Sequence, residues 1–176
     1  MRKLQVEKIK MNGDVPSPRF GHSFTMVSKT KAVLFGGAVS VAGKFVITNE
    51  TYLYDFTNNH WKKLKFPPQG VIPCERAAHA ATMIGEMQMI IYGGAASGTQ
   101  NMLRDELYLL DLRREAHWKV VETRQNKGTT PGQRYGHSMV FNNPYLIIFG
   151  GNSGNKAEND VWLLNISRGP FTWQKY

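Results

Sequence analysis

The chain has 176 residues, 41% of them hydrophobic and 17 of them glycine, a composition suited to short strands joined by many tight turns. Its formal net charge is +9, yet no segment interleaves aromatics with arginines as a single-strand binder requires, so no nucleic-acid partner is expected. There is no run of about 18 apolar residues that reads as a membrane span, the opening MRKLQVEKIK lacks the apolar centre of a secretory signal, and the one cysteine, Cys74, has no partner for an internal disulfide. An intracellular protein, cytoplasmic or nuclear and not secreted, is therefore expected, without membrane contact.

Leu4 to Lys10 alternates apolar and polar residues and is expected to be a strand. A signature then begins, in which Gly13, Pro16, Arg19 and His22 are matched by Gly70, Pro73, Arg76 and His79 and again by Gly128, Pro131, Arg134 and His137. In the first copy, Phe20 to Val27 predicts an inner strand and Ala32 to Phe35 a second strand buried on both faces, ended by Gly36 and Gly37. Ala38 to Asn49 predicts a long loop, Thr51 to Asp55 a third strand, and Trp61 to Phe66 a fourth.

The second copy repeats the scheme with Ala77 to Met83, Gln88 to Tyr92, Glu106 to Asp111 and Trp118 to Thr123, its double glycine being Gly93 and Gly94. The third uses Tyr135 to Phe141, Tyr145 to Phe149, Asp160 to Asn165 and Thr172 to Tyr176, with Gly150, Gly151 and Trp173 as landmarks. Gly36, Gly93 and Gly150 are spaced 57 and 57 residues apart, and a constant period of this length predicts an array of like units. Leu4 lies 15 residues before Arg19 as Trp61 lies 15 before Arg76, so residues 4–10 count as an extra copy of the outer strand.

Repetition also sets the expected roles. Equivalent residues of successive units are carried apart, so His22, His79 and His137 are expected to bond backbone or a neighbouring unit together with Arg19, Arg76 and Arg134, rather than to converge on zinc. Trp61, Trp118 and Trp173 are expected in the core. The stretch from Gly150 to Lys156, GGNSGNK, lacks the lysine directly after glycine that a phosphate loop requires. Lysines at 8, 10, 62, 63, 65, 119 and 175 fall on the outermost strands, where they are expected to guard exposed edges.

The motif R-x-[GA]-H, the double glycine, the aromatic at Tyr52, Tyr108 and Trp162, and the following tryptophan together resemble kelch repeats, the blades of a β-propeller. The resemblance covers the chain from Leu4 onward and implies an all-β kelch propeller fragment: three four-stranded antiparallel blades at residues 20–66, 77–123 and 135–176, plus the extra N-terminal strand 4–10. ERAAHAATMIG, DELYLLDL, RYGHSMV and NDVWLLN further resemble the N-terminal kelch region of kelch-containing serine/threonine phosphatases of plants and alveolates. That resemblance implies a protein-binding or regulatory module, with a phosphatase domain and its two metal ions, manganese being expected, outside this chain. The phosphatase signatures G-D-x-H-G, G-D-x-x-D-R-G and G-N-H-E do not occur here, so no catalytic residue, cofactor site or metal ligand is expected within it. A kelch adaptor recruiting substrates to a ubiquitin ligase is the alternative, and a propeller enzyme the second; a copper oxidase is disfavoured because Cys74 follows Pro73 in a turn between blades.

Partner contact is expected on the loops joining second to third strands, at Gly43, Lys44, Phe45, Ser97, Met102 and Asn155. Three blades leave two open sides, so self-association, as a dimer, is expected as well.

Overall fold

The computed structural model describes residues 6–96, 105–124 and 130–176, and among these there is no helix. The described chain opens on two short strands, β1 (Asn12–Gly13) and β2 (Arg19–Phe20). Blade one begins with β3 (Ser23–Met26) and β4 (Lys31–Phe35), is interrupted by a hairpin of β5 (Ala38–Val41) and β6 (Lys44–Ile47), and finishes with β7 (Thr51–Asp55) and β8 (His60–Lys63). Blade two is β9 (Ala80–Gly85), β10 (Gln88–Tyr92), β11 (Leu107–Asp111) and β12 (His117–Val121). Blade three is β13 (Ser138–Asn142), β14 (Tyr145–Asn152), β15 (Ala157–Asn165) and β16 (Trp173–Lys175). Each blade is a four-stranded antiparallel meander in chain order.

The second strand of each blade explains why the array holds together. Side chains alternate along a strand, and in β10 both faces are buried: Met89 and Ile91 join Val33, Phe35 and Trp118 between blades one and two, while Ile90 and Tyr92 join Leu146, Ile148 and Trp173 between blades two and three. The continuous apolar runs read from the sequence are thus strands with a blade on either side. Leu64 and Phe66, expected in the fourth strand of blade one, lie beyond its end at Lys63 and pack against the first of these clusters.

Inner strands start three residues later than the sequence indicated, at Ser23, Ala80 and Ser138. The residue after each arginine is engaged elsewhere: Phe20 pairs with Ala38, Ala77 with Ala95 and Tyr135 with Asn152, next to the double glycines. In blade three the second and third strands run on past their expected ends to a tight turn at Ser153–Lys156.

Two expectations are corrected. Residues 6–10 of the anticipated outer strand form no strand, and Val6 and Ile9 are exposed. Such a strand needs a third strand with a free side, and β7, β11 and β15 are already flanked by β8, β12 and β16. Asn12 and Gly13 instead run parallel to His60 and Trp61, with the Lys63 backbone N–H donating to the Asp14 carboxylate at 2.9 Å, and so cover the outer edge of blade one. The second correction concerns residues 38–49, which are not a loop. They form β5 and β6, which with β2 make a separate three-stranded sheet. Its turn is Ala42–Gly43, with φ of 49° and 77°, the doubly left-handed geometry of a two-residue hairpin.

Candidate partner-binding surface

The repeated arginines are the frame on which the surface is mounted. Arg19, Arg76 and Arg134 each donate from Nη1 to the carbonyl of the first glycine of their own blade, Gly36, Gly93 and Gly150, at 3.2, 3.0 and 2.7 Å. Each also donates from Nε to a carbonyl just upstream, that of Ser17, Cys74 or Pro131. The guanidinium therefore ties the strand-two exit to the turn that enters the blade.

Glu50 and Asp160 add charge to this frame in blades one and three. Arg19 Nη2 lies 2.9 Å from Glu50 and Arg134 Nη1 2.8 Å from Asp160, while Lys63 bonds Glu50 and Lys175 Nζ sits 3.8 Å from Asp160. Hydrogen bonds from Arg134, with a further one from the Trp162 indole, outweigh desolvation and hold the Asp160 carboxyl down at about 2. For Glu50 desolvation pulls upward, yet bonds from Lys63 and Arg19 bring the net shift below the usual carboxylate range. Lys63 and Lys175 thus neutralise carboxylates beside the ring faces of Tyr52 and Trp162, which is more than the edge protection read for them from sequence. Blade two lacks the clamp. Val120 occupies the place of that lysine, Glu106 accepts from the Tyr108 hydroxyl, and Arg76 Nη2 turns to Cys74 Sγ at 3.4 Å.

The histidines line the seams between blades. The His79 ring meets Phe35 of blade one at 5.3 Å and that of His137 meets Tyr92 of blade two at 5.6 Å. His79 Nε2 shares a hydrogen bond with Ser23 Oγ at 2.9 Å, whereas neither nitrogen of His137 has a partner among the described residues. The expected bond is missing from His137 because Ala80 stands where blade one has Ser23. His22, on the open side of blade one, is exposed and makes no such bond either. Burial first, then the neighbouring arginine charge, lowers His79 to about 3 and His137 to about 4. Both are neutral rings at neutral pH. Among the described residues no group of three or more His, Cys, Asp or Glu is placed to hold a metal ion.

The tryptophans occupy the same seams. Trp118 lies 5.0 Å from Phe35 and Trp173 5.8 Å from Tyr92, both indoles buried, while Trp61 sits among Phe24, Tyr52 and Tyr54. The double glycines permit this approach. A Cβ on Gly36 or Gly93 would stand 2.6 or 2.4 Å from the carbonyl of the next blade's arginine, Arg76 or Arg134. Gly37 and Gly94 donate backbone N–H groups to those same carbonyls at 2.8 and 2.9 Å.

In blades one and three, the connections between second and third strands carry exposed side chains. Gly43, Lys44 and Phe45 come together at the tip of the β5–β6 hairpin. Phe45 packs edge-on against Phe20 with centroids 5.1 Å apart, and the two rings remain 70% and 56% exposed. Val41 and Val46 add exposed apolar surface nearby. Sequence reasoning missed Phe20, since it was assigned to the inner strand of the blade. Asn155 is exposed in the β14–β15 turn, where the Gly154 N–H donates to the Asn152 side chain at 2.7 Å. Ser97 and Met102 lie outside the described residues.

Stacked four-stranded meanders with one repeated arginine, histidine, double-glycine and tryptophan set define a segment of a β-propeller of the kelch type. The chain belongs to the kelch-repeat family: the family model described as KLHDC2/KLHL20/DRC7 Kelch-repeats domain matches residues 1–176. It is similar to serine/threonine-protein phosphatase BSL2 of Arabidopsis thaliana, 34% identical over 82% of this chain and 15% of that protein. It is also similar to Host cell factor of Drosophila melanogaster, 31% identical over 94% of this chain and 12% of that protein. A third relative is Host cell factor 2 of Homo sapiens, at 29% identity over 94% of this chain and 22% of that protein. The chain thus spans less than a quarter of the length of each.

Proposed function

We propose that this chain is a non-catalytic, protein-binding module of a longer intracellular protein, and that its partner is held at the β5–β6 hairpin. The observation that carries this is the exposed Phe20–Phe45 pair. Two large rings kept in solvent, Phe20 on β2 and Phe45 on β6, are characteristic of a recognition surface, since aromatics dominate binding energy where they are desolvated by a partner. The longer protein proposed is a metal-dependent serine/threonine phosphatase, supported by the 34% identity to BSL2. In this reading the two metal ions, manganese by expectation, belong to a catalytic domain outside these residues. The second reading is a kelch scaffold or ubiquitin-ligase adaptor without a phosphatase domain; Host cell factor, at 31% identity, shows that a match of this strength is not confined to a relative named as a phosphatase.

Two experiments test the proposal. Quantitative capture from native extract, with wild type and a Phe20→Ser/Phe45→Ser variant as paired baits, should give a partner retained by the first and lost by the second at unchanged melting temperature. A partner indifferent to the substitution rules the hairpin out. Sequencing the transcript past the Tyr176 codon should find G-D-x-H-G and G-N-H-E; an oligomerisation domain there selects the adaptor.

A further inference from the structure

The outermost strands of the blades carry lysine: Lys62 and Lys63 on β8, Lys119 on β12 and Lys175 on β16. Lysine on an edge discourages pairing with another chain. The hairpin sheet is different. Its strand order is β2–β5–β6, so among the described residues β6 is bonded on one side only, and past Lys44 it reads Phe45, Val46 and Ile47, with no charge, proline or bulge to guard the free side.

The turn fixes which way the main-chain groups of β6 point. A two-residue turn closes on a hydrogen-bonded pair, here Val41 and Lys44, and bonded and non-bonded pairs then alternate along the ladder. Val39 and Val46 are the next bonded pair, and after them comes Gly37 with Thr48, whose N–H donates to the Gly37 carbonyl at 3.0 Å. Phe45 and Ile47, in the intervening pairs with Ser40 and Ala38, therefore turn both N–H and C=O away from β5, and none of these groups has a hydrogen-bond partner among the described residues. The side chains beside them are open on both faces of the sheet. Phe45 stands with Phe20 on one face, and Val46 with Val41 on the other, all of them exposed.

We propose that β6 receives an extended segment of the partner protein as a fourth strand of this sheet, an inference that rests on the reading of the hairpin as the binding site and names what the site takes. Phe45 and Ile47 offer two donors and two acceptors one dipeptide apart, the pattern that a peptide strand satisfies residue by residue. Side chains of an added strand alternate, so apolar residues at successive positions of the peptide would lie beside Phe45 and Ile47 on one face and beside Val46 on the other. Lys44 is exposed at the turn end of the edge, where an acidic residue of the peptide completes the match. The partner segment is thus a β-prone apolar stretch about as long as β6, flanked on one side by Asp or Glu. A helix could meet the rings but would not use the outward main-chain groups.

The probe is the most enriched sequence from a phage-displayed library of random linear peptides panned on the full chain, made as a synthetic peptide. It should carry the apolar stretch with its acidic flank, and on saturation it should slow hydrogen exchange at the Phe45 and Ile47 amides of the wild type. Ile47→Pro removes one outward N–H and no bond to β5, and should weaken the peptide by about tenfold or more, while Ile47→Val should leave its affinity within about twofold. If Ile47→Pro loses its β-sheet circular dichroism, the exchange measurement on the wild type decides alone. Unchanged exchange at the two amides overturns strand addition, as does equal binding to a folded Ile47→Pro, and as does a library that yields no binder. A peptide lost by Phe20→Ser/Phe45→Ser but indifferent to Ile47→Pro docks on the rings alone, so that strand addition falls while the hairpin stands as a binding site. A peptide indifferent to both substitutions counts against the hairpin itself.

Discussion

His79 Nε2 and Ser23 Oγ lie 2.9 Å apart across the seam between blades one and two, whereas His137, one blade on, has no hydrogen-bond partner among the described residues for either ring nitrogen. A buried polar group left unpaired costs roughly 1–3 kcal/mol, while a neutral hydrogen bond contributes about 1 kcal/mol net. Ser23→Ala should therefore destabilise by about 1–2 kcal/mol, and Ala80→Ser, which places a hydroxyl at the equivalent position facing His137, should stabilise by about 0.5–1.5 kcal/mol. Urea denaturation at pH 7.5 measures both. Loss of stability in Ala80→Ser would mean that the second seam is too tight for the oxygen.

Arg134 and Asp160 are both buried and bonded to each other, whereas Arg76, equally buried, is bonded to carbonyls and to Cys74 and faces the Tyr108 ring at 5.0 Å. Removing one partner of a buried ion pair strands the other charge and costs about 3–5 kcal/mol. Arg134→Met should show that loss, and Arg76→Met a smaller one, since no carboxylate is stranded. Adding Asp160→Asn to Arg134→Met should recover part of the deficit in the same urea measurement.

Stability should fall as the pH drops from 6.5. His79 and His137 are depressed in the fold from 6.5 to about 3 and about 4 by burial and by the arginine beside each. The unfolded chain binds protons in this window and the folded chain does not, so stability is fully present above pH 6.5 and is lost progressively down toward pH 4. The slope approaches about 1.4 kcal/mol per pH unit for each histidine. Carboxylates such as Glu50 and Asp160, held below their ordinary values of 4.5 and 3.8, add their own loss only at lower pH. Denaturation midpoints at pH 7.5, 6.0 and 5.0 check the slope, which His137→Leu should roughly halve.

Ala42 holds a left-handed conformation, φ 49°, beside Gly43 at 77°. A residue with a β-carbon is strained there by about 1 kcal/mol, and asparagine is the preferred first residue of this turn. Ala42→Asn should stabilise the hairpin by about 0.5–1 kcal/mol, seen as slower hydrogen exchange at β5 and β6 amides. Partner affinity should be unchanged or tighter.

The blades were legible because their residues recur. Thr51–Asp55 and Gln88–Tyr92 are strands at the limits the pattern indicated, and the two-faced burial of Val33 to Phe35 followed from an unbroken apolar run. The β5–β6 hairpin was not, since its sequence has no counterpart in the other copies and its apolar residues, Val41, Phe45, Val46 and Ile47, straddle a turn made by Ala-Gly rather than Asn-Gly. Alternation across Val39, Ser40 and Val41, followed after Ala42–Gly43 by the β-prone run Phe45, Val46 and Ile47, was the available signal. Partnership of Arg19 with Glu50 and Arg134 with Asp160 lay hidden for another reason: the pairs are 31 and 26 residues apart in the chain, and the second copy, with Glu106, does not make the bond.

One arginine residue serves two junctions at once. The Arg76 carbonyl accepts from Gly37 of the preceding blade while its guanidinium donates to Gly93, and the Arg134 carbonyl accepts from Gly94 while its guanidinium donates to Gly150. A mechanical relay results, running Gly37, Arg76, Gly93–Gly94, Arg134, Gly150 across the array. Blades of an ordinary repeat protein communicate only through neighbour contacts and can melt piecemeal from an end. Here a blade that lifts from one neighbour displaces the anchor of its own second strand, which forms the junction with the other. Melting should therefore be cooperative over the whole three-blade array, with one calorimetric transition in place of a series.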